Sequence, residues 1–396
     1  MIKTTLLFGL LISPFMLLAQ PFSKKYIMAF HTCNAACTGF MNHQVHLAES
    51  NDGSTWSLVP NFVPYTGSVP DVITRGSKLY IYTPGQVKRY NQTTNTWDQN
   101  TQSVAITDSA GNPVQYVDPS AVVDSAGHLV LFFLNSTGTP MGQDPASCQT
   151  YPCIKYFDSA SEVPGSDGTQ FTKNAGHRMV ITLNSGTASD PDIFQDPSGY
   201  KLYISKGNSV YACSAASLHG SYSSIPALTN GILTNQGGIP CGWFDESTNQ
   251  YWTYVHTNQN GNIVIRQAIH TNLNNVLSNF NTVLAGPQIG EPASTTTESP
   301  SICLNTLTIT GLNEPEKSSL QLSPNPCSSL LTIKANEVLI PLLTCFNATG
   351  AQLQLPLQKV DWNTYQVELA FLPEGMYWLQ VSSTKKTTTA KVCIQK

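Results

Sequence analysis

Short apolar runs recur along the first three quarters of the chain, each placed just after a polar turn. Leu79-Tyr80-Ile81-Tyr82 follows Arg75-Gly76-Ser77, and Leu129-Val130-Leu131-Phe132-Phe133 follows Asp124-Ser125-Ala126-Gly127. Leu202-Tyr203-Ile204 follows Asp196-Pro197-Ser198-Gly199, and Trp252-Thr253-Tyr254-Val255 follows Asp245-Glu246-Ser247-Thr248-Asn249. Runs rich in β-branched and aromatic residues, bounded by Gly, Asp, Ser and Asn, read as strands. Ahead of each turn stands one short motif built around a proline. Its copies are Ser68-Val69-Pro70-Asp71-Val72-Ile73, Val117-Asp118-Pro119-Ser120-Ala121-Val122, Ser189-Asp190-Pro191-Asp192-Ile193-Phe194 and Gly238-Ile239-Pro240-Cys241-Gly242-Trp243. The last is Glu298-Ser299-Pro300-Ser301-Ile302-Cys303, which has no apolar run after it. The prolines are 49, 72, 49 and 60 residues apart. A repeat of this size means a propeller, a solenoid or an array.

Each motif reads as a strand, followed by a turn and a second strand. Further alternating segments such as Val45-His46-Leu47-Ala48-Glu49-Ser50 bring the count to four strands per unit, which predicts β-propeller blades. Proline lacks a ladder donor and is tolerated on a strand with a free edge, so the motifs belong on the innermost strands, facing the channel. The partner missing after the fifth motif is supplied at the other end, by Tyr26-Ile27-Met28-Ala29-Phe30. The expected fold is all-β: a five-bladed β-propeller closed by a C-terminal strand, followed by a small C-terminal β-sandwich. Propeller residues run from 21 to 305 and a linker from 306 to 319. Alternation and turns over residues 320–396 predict the sandwich.

Charged residues are only 11% of the chain, against about 25% in an average soluble protein. Surface polarity must then come from Ser, Thr, Asn and Gln, which suits an exported β-protein. The net charge of −4 and the scattered basic residues argue against a nucleic-acid partner. Residues 1–20 read as a secretory signal peptide, with Lys3 ahead of an apolar stretch and Ala19-Gln20 at its end. No later stretch is long and apolar enough to span a bilayer, so no transmembrane segment is expected after cleavage. Ten cysteines in an exported chain predict disulfides. Cys33 with Cys37 and Cys148 with Cys153 suit short loops, and Cys213 with Cys241 would tie the fourth blade to the fifth. Zinc is the alternative for the first two pairs, but neither has a second Cys pair or a His pair.

Two local patterns resemble known families. Ser50-Asn51-Asp52-Gly53-Ser54-Thr55-Trp56 resembles the Asp box of sialidase-like propellers, where Asp and Gly make a hairpin turn and Trp packs between sheets. The C-terminal domain carries Pro324-Asn325-Pro326, Gly350, Leu372-Pro373-Glu374-Gly375-Met376-Tyr377 and Lys391-Val392. It closely resembles the C-terminal sorting domain of the Bacteroidetes type IX secretion system, with Ser323 in place of the usual Tyr. That resemblance implies contact with the type IX machinery, export through the periplasm and outer membrane, and release or anchoring at the cell surface.

The candidate chemistry lies in the motifs. Asp71, Asp118, Asp190 and Asp192 each flank a motif proline, and positions two apart on a strand share a face. Alternation therefore turns all four the same way. An unpaired carboxylate between blades is very costly, so the channel is the expected destination. Converging carboxylates suit glycoside hydrolysis, in which one donates a proton and another acts as base or nucleophile. The pattern also resembles glycoside hydrolase family 43 and the related five-bladed arabinanase and fructosidase-like enzymes. The resemblance implies an inverting reaction, with Asp190 as base, Asp118 as the group that tunes or orients, and Glu298 of Glu298-Ser299-Pro300 as proton donor. Asp71 or Asp192 stands in if Glu298, two before its proline, points away. Asp71, Asp192, His31, His256 and Trp243 are candidate substrate contacts; packing roles are the alternative for the histidines and the tryptophan, as strand-end capping is for the aspartates. No metal or cofactor is implied. A sialidase would need an arginine cluster, and no arginine lies in the motifs. The alternative from another class is a non-catalytic glycan-binding or adhesive surface propeller.

Overall fold

The computed structural model describes residues 22–33, 42–140, 142–307, 320–335, 339–347, 351–361, 364–383 and 387–396. The signal-peptide segment, Cys37 and most of the expected linker lie outside them. The chain divides into two compact units, Met1–Thr308 and Ile309–Lys396. Among the described residues no helix is long and apolar enough to cross a membrane.

In the first unit the described residues form five sheets of four to six strands, rather than four strands in every case. The innermost strand carries a proline motif in four of them: Tyr116–Val123, Ser189–Asp196, Gly238–Asp245 and Thr296–Leu304. In the remaining sheet the innermost strand, Asp71–Arg75, begins directly after Pro70. These five strands touch in cyclic order and close a ring, so the unit is a five-bladed propeller. Closure falls where the sequence placed it: Thr296–Leu304 pairs antiparallel with Tyr26–Cys33, with Ser301 opposite Ala29 and Leu304 opposite Tyr26.

The apolar runs are the second strands, and each is buried on both faces. In Leu129–Asn135, Leu129, Leu131 and Phe133 enter the seam with the second blade, beside Tyr80 and Tyr82. Val130, Phe132 and Leu134 enter the seam with the fourth, beside Leu202 and Ile204. A strand packed on both sides needs no polar alternation, which is why these segments read as continuous runs. The Asp-box stretch is a turn at the seam between the first and fifth blades. Asp52 Oδ1 accepts from the Ser54 and Thr55 amides at 2.8 and 2.7 Å, and Trp56 Nε1 donates to the Gly53 carbonyl at 2.9 Å. Gly53 has φ +73°, and a Cβ there would sit 2.2 Å from the Trp252 ring, so only glycine fits.

Cys148 and Cys153 are joined, with Cα atoms 6.4 Å apart, which removes the zinc alternative for that pair. Cys33 is also disulfide-bonded. Cys213 and Cys241 are both free, contrary to the expected bridge, because they face different seams. The Cys148–Cys153 loop is pinned as well by Lys155 Nζ, which donates to the Pro145 and Ser147 carbonyls. Replacing both cysteines by Ser should lower stability by about 2 kcal/mol, the value for so short a loop. Calorimetry reads this as a lower melting temperature; an unchanged one would mean that the lysine holds the loop unaided.

The second unit contains two four-stranded antiparallel sheets, one built on Leu330–Ala335 and Thr364–Glu368, the other on Leu339–Asn347 and Gly375–Ser383. One apolar cluster, including Leu331, Ile333, Leu343, Tyr365, Leu379 and Val392, fills the space between them as in a β-sandwich.

Candidate active site

The residue before every motif proline has a left-handed backbone: Val69 at φ 42°, Asp118 at 53°, Asp190 at 48°, Ile239 at 44° and Ser299 at 55°. For non-glycine residues this is strained, most of all for β-branched Val and Ile. Pairing slips at the same place, between Val117 and Ser120, between Ser189 and Asp192, and between Gly238 and Cys241. Thr296–Leu304 slips likewise, opposite Ala29 and His31, so these four innermost strands bulge at their prolines, and a bulge re-aims side chains. The five motifs meet in a narrow throat of about 30 Å³, lined by the five X-Pro pairs with Asp71, Asp192 and Ser301. That is room for one or two water molecules, so no sugar enters it.

The bulge breaks the expected alternation. The residue after four of the five prolines reaches across to the next blade. Ser301 Oγ accepts the Val72 N–H at 3.0 Å, Asp71 Oδ2 that of Ala121 at 2.8 Å, Ser120 Oγ that of Ile193 at 3.1 Å and Asp192 Oδ2 that of Gly242 at 2.7 Å. In the fifth blade the corresponding residue is Cys241, whose Sγ meets the Gly242 carbonyl at 3.9 Å instead. Asp71 also accepts from Ser301 Oγ at 2.8 Å. Asp71 and Asp192 thus fasten neighbouring blades, which corrects the expectation that they contact substrate or stand in for a catalytic group. Each is an inter-blade carboxyl that is hydrogen-bonded, so the penalty for an unpaired one does not apply. Burial pushes the Asp71 carboxyl up to about 7. Burial and the nearby Asp71 push Asp192 well above the usual carboxylate range.

Asp118 and Asp190 stay with the throat on adjacent innermost strands. The Asp190 N–H donates to Asp118 Oδ2 at 3.2 Å, and Ser189 Oγ donates to Asp190 Oδ2 at 2.5 Å. Both residues are half-buried, and protein surrounds their carboxyls. Loss of hydration, then the charge of Asp190, holds Asp118 well above the usual range. Loss of hydration also raises Asp190, against the Ser189 hydrogen bond and the charge of His256. Two such carboxyls titrate as a pair, and each resists ionising beside the other. Asp144 adds its charge to Asp118 from the disulfide loop, and that loop is tied to the entry of the Asp190 strand by an Ala188 N–H to Ala146 carbonyl bond of 3.1 Å.

Glu298, two before its proline, is not among the throat residues. Its Oε1 lies 3.0 Å from His31 Nε2 and its Oε2 2.8 Å from His256 Nδ1. The two candidate histidines, His31 and His256, both meet on this one carboxylate. Burial pushes Glu298 up, but the hydrogen bonds from His256 and His31 outweigh it and hold the carboxyl well below its usual value. This ionised state speaks against the proton-donor role expected for Glu298. Its charge still reaches Asp190.

The Val69 N–H donates to His31 Nδ1 at 3.1 Å. That leaves the proton on Nε2, facing Glu298. His43, which sequence reasoning did not single out, stacks on His31 with centroids 4.3 Å apart and an interplanar angle of 10°, and its Nδ1 meets Ser68 Oγ at 2.8 Å. One ligand atom each from His31, His43 and Glu298 fall within 4.8 Å of one another. Stacked rings hold their lone pairs in parallel planes, however, and His31 Nδ1 is already taken, so these three do not converge on one ion. Trp243 is not a throat residue. It packs edge-on against Tyr26 at 5.9 Å in the fifth–first seam, which corrects its expected role as a sugar platform.

Residues 321–395 match the family described as the secretion system C-terminal sorting domain. No curated protein matches the chain. Among solved structures, an endo-1,4-beta-xylanase from Bacteroides thetaiotaomicron is similar at 14% identity, covering 58% of this chain and 81% of that one, with a TM-score of 0.37. A GH43_1 enzyme from Xanthomonas citri complexed with xylose gives 17%, 59%, 77% and 0.39. An endo-1,5-alpha-L-arabinanase from Thermotoga petrophila gives 11%, 82%, 90% and 0.38. Likeness this distant carries no chemistry, which has to come from the residues of this chain. The sorting domain marks the chain for type IX export, to the cell surface or beyond it. Deleting residues 320–396 should leave the protein in the periplasm with the propeller folded. Fractionation and immunoblotting test this, and normal surface delivery of the truncated chain would refute it.

Proposed function

We propose that the propeller is a glycoside hydrolase acting on a polysaccharide or oligosaccharide outside the cell. The observation that supports this most is the Asp118–Asp190 pair: two carboxyls on neighbouring strands, linked at 3.2 Å through the Asp190 amide and both raised above the usual carboxylate range. On this reading one of them keeps its proton at neutral pH, as the leaving oxygen of a glycoside requires. The throat is too narrow for a sugar, so substrate lies across its mouth, against the Asp144 loop. The test is reducing-sugar release from a panel of plant and microbial polysaccharides and nitrophenyl glycosides, beside glycan-binding assays on the same set. If the protein binds a glycan, cleaves nothing, and binds equally well as Asp118→Asn and Asp190→Asn, it is a binding module.

A further inference from the structure

The Asp pair accounts for one proton, the one delivered to the leaving group. Direct displacement by water needs a second group that removes a proton from the attacking water. Glu298 cannot be that group, since both of its oxygens are engaged by histidines. The group it fixes can be. Resting on the glycosidase reading above, we infer that His256 is the base of this site, positioned by Glu298 and His31.

The argument is one of hydrogen-bond roles. Glu298 is ionised and accepts only, so His256 Nδ1, at 2.8 Å from Oε2, carries the proton. The lone pair is then on Nε2. Among the described residues Nε2 has no hydrogen-bond partner, yet it is not among the buried unpaired polar atoms, so it reaches solvent. The His256 side chain is 18% exposed, and the imidazolium formed when Nε2 takes a proton acts on the Asp190 carboxyl. The other end of the clamp is rigid. Glu298 Oε1 takes the Nε2–H of His31, which is 1% exposed and fixed in that tautomer by the Val69 amide. The strained backbone at Val69 is what presents that amide. A carboxylate on Nδ1–H that leaves Nε2 free is the arrangement that makes histidine a base and stabilises the imidazolium it forms.

The step balances. The water oxygen bonds to the anomeric carbon as its proton passes to His256 Nε2. The glycosidic C–O bond breaks, and the leaving oxygen takes the proton held by Asp118 and Asp190. A water molecule then returns the proton from Nε2 to the aspartates.

The decisive variant is Glu298→Gln in the full mature chain. Gln offers one acceptor oxygen to two N–H donors. His31 cannot change tautomer without losing the Val69 amide bond, so His256 must. ¹⁵N-histidine NMR, with His256 assigned from the His256→Gln spectrum, should show the Nδ1–H form in the wild type and the Nε2–H form in Glu298→Gln. A wild-type His256 protonated on Nε2 overturns the inference without reference to any substrate. In parallel, 2,4-dinitrophenyl glycosides separate base from acid, because their leaving group departs without a proton. On these, His256→Gln should lose about 10²–10⁴-fold and be rescued by sodium azide, which attacks without deprotonation, whereas Asp118→Asn should lose little. If the wild type cleaves them and His256→Gln stays within threefold of it, the inference fails while the glycosidase reading stands. If the wild type cleaves neither these nor the polysaccharide panel, both fail.

Discussion

Asp118→Asn and Asp190→Asn should each slow release of reducing sugar from natural glycosides by about 10²–10⁴-fold, the usual cost of losing an acid or base. The fold should survive. In Asp118→Asn the new side chain can still accept the Asp190 N–H through its amide oxygen, and neither residue is among the inter-blade amide acceptors that follow the prolines. The variants also differ in pH dependence. The active form holds a proton on the pair, so activity is present below the raised carboxyl value and is lost as pH rises through it. In Asp190→Asn the charge that helps hold Asp118 up is gone. The alkaline limb of whatever activity remains should therefore move to lower pH. Initial rates across a pH series measure both effects. Rates within threefold of wild type for both variants would remove the pair from the mechanism.

How far the sequence could be read depends on the range of the interaction concerned. Blade organisation was legible because each second strand sits in two apolar seams, and a doubly buried strand shows as a run such as Leu129–Leu134. Closure was legible because the fifth motif lacked such a run and Tyr26–Phe30 lacked a motif. The Cys148–Cys153 bridge is local, and its spacing announced it. The bulges were not legible. Val69 and Ile239 are β-branched residues that nothing local would place at positive φ. Alternation without the bulge put Asp71, Asp118, Asp190 and Asp192 on one face, when the residue after the proline in fact turns to the next blade. Glu298 was doubted on the same alternation, and its partners lie 267 and 42 residues away, at His31 and His256. Its ionised state follows from those two contacts, so no reading of the motif alone gives it. Trp243 and Cys241 share the fifth blade's motif but end in the fifth–first seam, the first against Tyr26 and the second far from Cys213.

Asp71→Asn should stabilise the protein at alkaline pH and leave it nearly unchanged near pH 4. Asp71 is 5% exposed, and burial holds its carboxyl at about 7 in the folded chain, against about 3.9 when unfolded. Between those values the folded chain binds one proton more than the unfolded chain, so stability falls as pH rises through that window and stays lowered above it. The full difference corresponds to up to about 4 kcal/mol at pH 8. Asn keeps the geometry: its oxygen can accept the Ala121 N–H, and its NH₂ can donate to Ser301 Oγ, which has a second lone pair beside the one taken by the Val72 amide. Removing the Asp71 charge also relieves Asp192, whose carboxyl it pushes up. Thermal melting of the full mature chain at pH 4, 6 and 8 should show a wild-type melting temperature that falls with pH and a variant that falls less. Asp71→Ala should behave differently, because it leaves the Ala121 amide without its acceptor at a cost of about 1–3 kcal/mol at every pH. Parallel pH slopes for wild type and Asp71→Asn would mean that the carboxyl does not carry a proton in the folded ring.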